Sequence, residues 1–283
     1  MLGCVVASGL MKRALSLNTV LTLVVLFRLA VAAPVTLAAQ SALDWSRADQ
    51  EAFAALPPVS VATDSTWPPM EYINRERELV GFDIDLMREV GLRAGFRPVF
   101  ETVAWDGIFA GLAAGRYEMI ASSVTLLPER RRMMLFSEPY FMAAQYLVMR
   151  REDAAGVRDI SDLSGGSVGA QIATTGSRLI AETEGVGLRS YDDLGLAVED
   201  LANGRLDGIV ADVAIVEYFV LSNDRYGRRL QVVGEPYAIE PYAFAIRRDR
   251  PDLRDRVNRG LAELRADGTL NRIREFWFDS IEE

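Results

Sequence analysis

From position 121 to 132 the chain reads ASSVTLLPERRR, which sets three hydroxyl side chains, Ser122, Ser123 and Thr125, ahead of three arginines. A guanidinium is a planar fork of donors that matches a carboxylate or phosphate, and hydroxyls add further donors. The stretch therefore reads either as a pocket for a small anion or as a solvated helix start. Further on, Thr174 and Thr175 precede a helical pattern, where free N–H groups suit an anion but a plain helix cap would look the same. Asp212 closes the apolar run Gly208-Ile209-Val210-Ala211, as a ligand contact or as an ordinary strand-end residue.

Other chemistries lack their residues. The sequence has no histidine and its one cysteine is Cys4, which removes the common zinc, haem and Cys-His arrangements, so no metal and no cofactor is expected. No glycine-rich loop leads into Lys and Ser or Thr, and Gly165-Gly166-Ser167-Val168-Gly169 precedes its strand, unlike a dinucleotide fingerprint. Asp83 and Asp85 flank Ile84 at a predicted helix start, where carboxylates favour the helix dipole. Two carboxylates performing acid–base work stay open as an alternative. The net charge of −9 argues against nucleic acid as partner, because phosphate binding needs a basic stripe.

These residues need elements to hold them. Residues 1–39 carry a basic start, Lys12-Arg13, an uncharged apolar run over 14–27, and small residues beyond it. That is the pattern of a cleaved secretory signal, with an uncleaved anchor as the alternative. The segment holds Lys12, Arg13 and Arg28 and no acid, so its removal takes the charge from −9 to −12. Strand-like runs at 59–63, 97–102 and 117–121 alternate with helical patterns at 82–94 and 105–114, which suggests parallel, helix-covered sheets. An internal echo supports two similar lobes. LAAGRYEMI over 112–120 parallels LANGRLDGI over 201–209, each a helix end, a glycine cap and a buried strand. One copy runs into Ser122 and Ser123, the other into Asp212, and α/β sheets bind ligands beyond the carboxyl ends of their strands.

The motifs VATDSTWPPMEY, ELVGFDIDLMREV, AWDGIFAGLAAGRYEMIASSVTLLPERR, FSEPYF, TTGS, LANGRLDGIVAD and LRADGTLNRI occur in this order. Together they resemble the exported solute-binding proteins of ABC importers, of the polar-amino-acid kind, over residues 59–278. The resemblance implies a two-lobed α/β fold of the type II periplasmic-binding-protein kind, each lobe a helix-covered, mostly parallel sheet, with two crossover strands at the hinge. Lobe one is expected at 58–143 plus 240–283, and lobe two at 146–237. Arg130 matches the family's carboxylate-binding arginine, eight residues after Ser122, with Ser122, Ser123 and Thr125 as further donors. Leu127-Pro128 keeps the helix start here but lacks a capping side chain. Thr174 and Thr175 match second-lobe carboxylate contacts, and Asp212 the carboxylate that holds the α-ammonium. Trp67 and Trp105 match rings that sandwich the ligand side chain, and Asp64 matches an acceptor for it. Gln171 and Ala173 depart from the commoner family choices.

The function implied by the resemblance is that of a periplasmic, monomeric receptor. It would capture a free polar amino acid, basic or amide, and deliver it to a membrane ABC permease. Two other readings stand beside it. One is a dehydratase of cyclohexadienyl compounds such as prephenate or arogenate on the same scaffold. The other is a sensing module, which would need a separate output partner because the sequence ends shortly after Phe278.

Overall fold

The computed structural model describes residue 43, residues 45–221 and residues 224–278. The expected signal over 1–39 lies outside the described residues. No helix among those described is long and apolar enough to cross a membrane.

A lead helix, α1 (Arg47–Ala54), starts at a capping box between Ser46 and Asp49. The first lobe then runs β1 (Pro58–Thr63), a small antiparallel sheet of β2 (Thr66–Trp67), β3 (Glu71–Ile73) and β4 (Leu79–Val80), then α2 (Phe82–Ala94), β5 (Arg97–Thr102), α3 (Trp105–Ala113), β6 (Met119–Ile120), α4 (Pro128–Arg131) and β7 (Leu135–Phe136). A long strand, β8 (Phe141–Arg150), leads into the second lobe. There β9 (Ser167–Gln171), α5 (Thr175–Glu182), β10 (Gly187–Tyr191), α6 (Leu194–Ala202), β11 (Gly208–Asp212), the short helices α7 (Val213–Val216) and α8 (Asp224–Gly227), and β12 (Leu230–Val233) follow. The chain returns through β13 (Ile239–Tyr242) to β14 (Ala245–Ile246), and ends in α9 (Pro251–Ala266) and α10 (Thr269–Phe278).

The first large sheet has the order β5-β1-β6-β14-β7 and the second β10-β9-β11-β8-β12. Strands β1 and β9 run parallel to both neighbours, each joined through a helical crossover. The other half of each sheet is antiparallel: β14 against β6 and β7, and β8 against β11 and β12. These strands arrive from the opposite lobe rather than through a crossover, so nothing forces them parallel. Between the sheets, residues 141–144 of β8 pair with β13, Phe141 facing Tyr242 and Ala144 facing Ile239. Two adjacent antiparallel strands therefore carry the chain from one lobe to the other and back.

Three apolar clusters hold this arrangement. Phe82 and Val90 of α2 share one with Val257 and Leu261 of α9 and Trp277 of α10. Ile108 and Leu112 of α3 pack on Ala62 and Ile120 in the second. Val168, Ala170, Ile180 and Val210 anchor the third, inside the second lobe. Burying a large apolar side chain contributes about 1.5–3 kcal/mol before entropy is counted.

The sequence echo is also a geometric one. Gly115 and Gly204 both sit in left-handed backbone, at φ 73° and 76°. Their N–H groups donate to Leu112 and Leu201, each at 3.0 Å, and the next N–H groups, of Arg116 and Arg205, reach back to Gly111 and Asp200 at 3.0 and 2.9 Å. Each turn closes a helix, satisfies its last carbonyls and aims the chain into a buried strand, β6 or β11.

At the start of α2, Gly81 has φ 136°, and a Cβ there would lie 2.2 Å from the Met70 carbonyl oxygen. That close approach joins the small sheet to the helix bearing Asp83. Gly81→Ala should lower stability by about 2–4 kcal/mol, from backbone strain and a clash with main chain that cannot move aside. A denaturant midpoint equal to wild type would contradict this.

Candidate functional site

Beyond the carboxyl ends of β1, β6, β9 and β11 lies a cavity of about 330 Å³. Asp64, Trp67, Trp105, Ser122, Ser123, Thr125 and Arg130 line it from the first lobe. Thr174, Thr175 and Asp212 line it from the second. The ten residues singled out from sequence thus meet in one place, joined by Glu71 and Gln171.

Arg130 lies in α4, which begins with Pro128 at its first position and has no capping side chain at Leu127. The residue is 8% exposed, whereas Arg131 and Arg132 face solvent. Its Nη1 donates to the Thr125 carbonyl at 3.2 Å, and its guanidinium lies 4.5 Å from the Phe109 ring centroid and 5.5 Å from that of Trp105. Among the described residues it forms no ion pair. Burial lowers its pKa to about 10, against the opposing pull of Glu240 and Glu129. The group remains a cation at neutral pH, facing the cavity without a carboxylate of its own.

The hydroxyl turn is fixed from below. Ser122 Oγ donates to Glu71 Oε1 at 2.9 Å and Ser123 Oγ to Glu71 Oε2 at 3.1 Å. Asp83 Oδ2 accepts from the Ser123 N–H and from the Tyr140 hydroxyl, both at 2.7 Å. The sequence places Asp83 and Asp85 at a helix start as acids favouring the dipole. They do occupy the first turn of α2, but both are fully buried, and Asp85 accepts from Trp277 Nε1 at 3.1 Å. Burial and the neighbouring Asp83 charge push the Glu71 carboxyl well above the usual carboxylate range, and burial raises Asp83 to about 7. Ser123 itself has φ 47°, a conformation that residues with a side chain seldom adopt and that the two carboxylates hold in place.

Asp64 follows β1. Its N–H donates to Ser122 Oγ at 2.8 Å, its Oδ1 accepts from Thr66 Oγ1 at 3.0 Å, and its Oδ2 from Gln171 Nε2 at 2.8 Å. The last of these bonds spans the lobes. Burial raises the Asp64 pKa, with a smaller push from Asp193. Trp105 Nε1 donates across the cleft to the Ala173 carbonyl at 3.3 Å, and Ala173, at φ 57°, is the second strained residue of the site. At the rim Arg178 pairs with Glu129 at 2.7 Å, again between lobes.

In the second lobe Thr174 caps α5, accepting from the Ser177 N–H at 3.2 Å and donating to the Gln171 carbonyl at 2.7 Å. Thr175 Oγ1 donates to Glu240 Oε2 at 2.8 Å and accepts from Gln145. Asp212 Oδ2 takes the Tyr242 hydroxyl, while its Oδ1 is shut off from solvent with no donor. Burial raises the Asp212 pKa to about 7, and Glu240 adds to the rise. Among the described residues no group of three or more metal-ligating side chains is assembled.

Glu71 lies within the motif VATDSTWPPMEY but has no role assigned to it from sequence, and Glu240 and Gln145, which bond to Thr175 at the cavity wall, fall in none of the motifs. Gln171 stands out in the sequence only as a departure from the family's commoner choices. It ends β9 as Asp212 ends β11, so the same strand-end signal points to both.

Residues 59–280 match the family described as bacterial extracellular solute-binding proteins, family 3. Among curated relatives, the ABC transporter arginine-binding protein 1 of Escherichia coli K12 is 30% identical over 222 residues, spanning 78% of this chain and 90% of that protein. An L-cystine-binding protein of the same organism is 29% identical over 220 residues, spanning 77% and 81%. Among solved structures, an ancestral arginine-binding protein bound to arginine superposes with a TM-score of 0.74 at 31% identity, covering 78% of this chain and 98% of that one. The two-lobed type II binding-protein fold is common to both. On the strength of a match that spans both lobes and the hinge, this chain belongs to the bacterial extracellular solute-binding proteins, family 3.

Proposed function

We propose that the chain is a non-catalytic receptor for a free amino acid with a basic or amide side chain, working in the periplasm as a monomer after loss of its signal segment. One observation carries this reading. A buried arginine without an ion pair and a buried Asp212 oxygen without a donor line the same cavity. An α-carboxylate supplies the anion that Arg130 lacks, and an α-ammonium the donor that Asp212 Oδ1 lacks. Ser122, Ser123 and Thr125 form the wall beside Arg130, their hydroxyl protons already given to Glu71 and Glu240, so the N-terminus of α5 at Thr174 and Thr175 adds main-chain donors on the carboxylate side. Trp67 and Trp105 flank the side chain, and Asp64 takes its far end.

Charge favours a basic side chain. Arg130 stands against Asp64 and Asp212 at the cavity wall, with Glu240 behind the two threonines. A cation adds attraction to Asp64 and to the two indole faces, the latter worth about 0.5–2 kcal/mol. The named relatives bind arginine or cystine, so kinship alone leaves the amino acid open. Closure follows from contacts made only when both lobes touch the ligand, since a ligand shifts an equilibrium by its differential affinity. The closed form would then dock on an ABC permease.

A dehydratase reading draws on the raised Glu71 carboxyl, which lines the cavity. Both of its oxygens already accept from serine hydroxyls, which leaves it poorly placed to protonate a leaving hydroxyl. Protein lacking residues 1–39, stripped of bound ligand by unfolding and refolding, should bind one or a few basic or amide amino acids tightly in calorimetric titrations of all twenty. It should not turn over prephenate or arogenate. No heat with any amino acid would refute the receptor reading.

Two further outcomes are expected. Arg130→Ala should weaken the preferred amino acid by about 100-fold or more, because the ligand carboxylate would be buried unpaired; a change within twofold would refute the role given to Arg130. Affinity should also fall with pH. An ammonium pairs with the ionised Asp212, and the carboxyl is protonated below about 7. Each unit below that value should therefore weaken binding by up to about tenfold. A flat affinity from pH 8 to pH 5.5 would refute the ammonium contact.

A further inference from the structure

Glu240 lies on β13, one of the two strands that join the lobes, opposite Ala143 of β8. Its Oε2 gathers donors from three parts of the molecule. Thr125 Oγ1 of the first lobe donates at 3.4 Å, Thr175 Oγ1 of the second lobe at 2.8 Å, and Gln145 Nε2 of β8 at 3.3 Å. Thr125 and Thr175 also line the cavity beside Arg130. The Glu240 charge acts on the Arg130 guanidinium more strongly than that of Glu129, the adjacent residue in α4.

A hydroxyl has a single proton to give. When Thr125 and Thr175 donate to Glu240, they have none for another acceptor. A carboxylate brought to Arg130 competes for those protons and meets a second anion at close range. An uncharged carboxamide at the same place meets no such repulsion, and its NH₂ can itself donate to Glu240.

We propose that Glu240 is a specificity-determining residue of this cleft. It competes with the ligand's α-carboxylate for the Thr125 and Thr175 hydroxyls and for Arg130, and so lowers the preference for a free carboxylate over its amide. The inference rests on the amino-acid reading of the site and extends the ligand class to basic amines whose carboxyl is masked.

The test compares arginine with argininamide, lysine with lysinamide and glutamine with glutaminamide, by calorimetric titration of wild type and Glu240→Gln purified after export. With the charge removed, the free acid should bind at least about tenfold tighter while the amide changes little, so the amide-to-acid ratio of Kd rises about tenfold or more. A ratio unchanged within twofold, or one that falls, overturns the proposal. If the glutamine variant does not fold, Glu240→Ala should raise the ratio in the same way, and Glu240→Asp should leave it nearer wild type. Wild type that binds none of the twenty amino acids overturns the receptor reading and this inference with it, and wild type that prefers another amino acid is tested with that acid and its amide. Wild type that binds, with a ratio insensitive to position 240, overturns this inference alone.

Discussion

The guanidinium of Arg130 is almost wholly removed from water, yet among the described residues no carboxylate pairs with it. Taking a cation out of solvent without a counter-charge is costly, and here the cost is offset by one carbonyl and two aromatic faces. Much of the first lobe follows from keeping the group there. Pro128 starts a helix of only four residues, α3 brings Trp105 and Phe109 beneath the cation, and the serine turn closes the wall beside it. A bidentate anion offered to such a group gains more than it would from an arginine already paired.

The wall beside the arginine has its own support. Glu71 and Asp83 come from elements far apart in sequence from Ser122 and Ser123, but they hold three of the turn's polar groups. Their burial and proximity keep them readily protonated, which spares the lobe two full charges side by side. Opposite them, Gln171, Ala173 and Arg178 reach over from the second lobe to Asp64, Trp105 and Glu129. Of these groups Asp64, Trp105 and Gln171 also line the cavity, so part of what fastens the lobes lies at its wall.

How much of the fold and site is legible in the sequence depends on chain distance. Ser122, Ser123, Thr125 and Arg130 fall within nine residues, and one motif displays them all. Thr174 and Asp212 announce themselves as a helix cap and a strand end, positions that local pattern reveals. Glu71 finds its serines about fifty residues away and Glu240 finds Thr125 115 residues away, so no window of sequence holds both partners. Asp83 is legible as a first-turn acid but not as a buried one, because Tyr140 and the Ser123 amide arrive from other elements. The antiparallel half of each sheet escapes a sequence reading for a like reason. Local periodicity identifies a strand; only the return path of the chain decides its direction.

That return path also orders assembly. Apart from β13, which pairs with the first residues of β8, the second sheet draws its strands from residues 145–233 of one continuous stretch. The first sheet has β14 lodged between β6 and β7, which are not paired with each other. Until residues 245–246 emerge, the first lobe keeps two open strand edges and lacks α9 and α10 over its core. During synthesis the later-encoded lobe can close on itself while the earlier one waits for the tail of the chain. The segment that an N-to-C order would finish first is the one finished last.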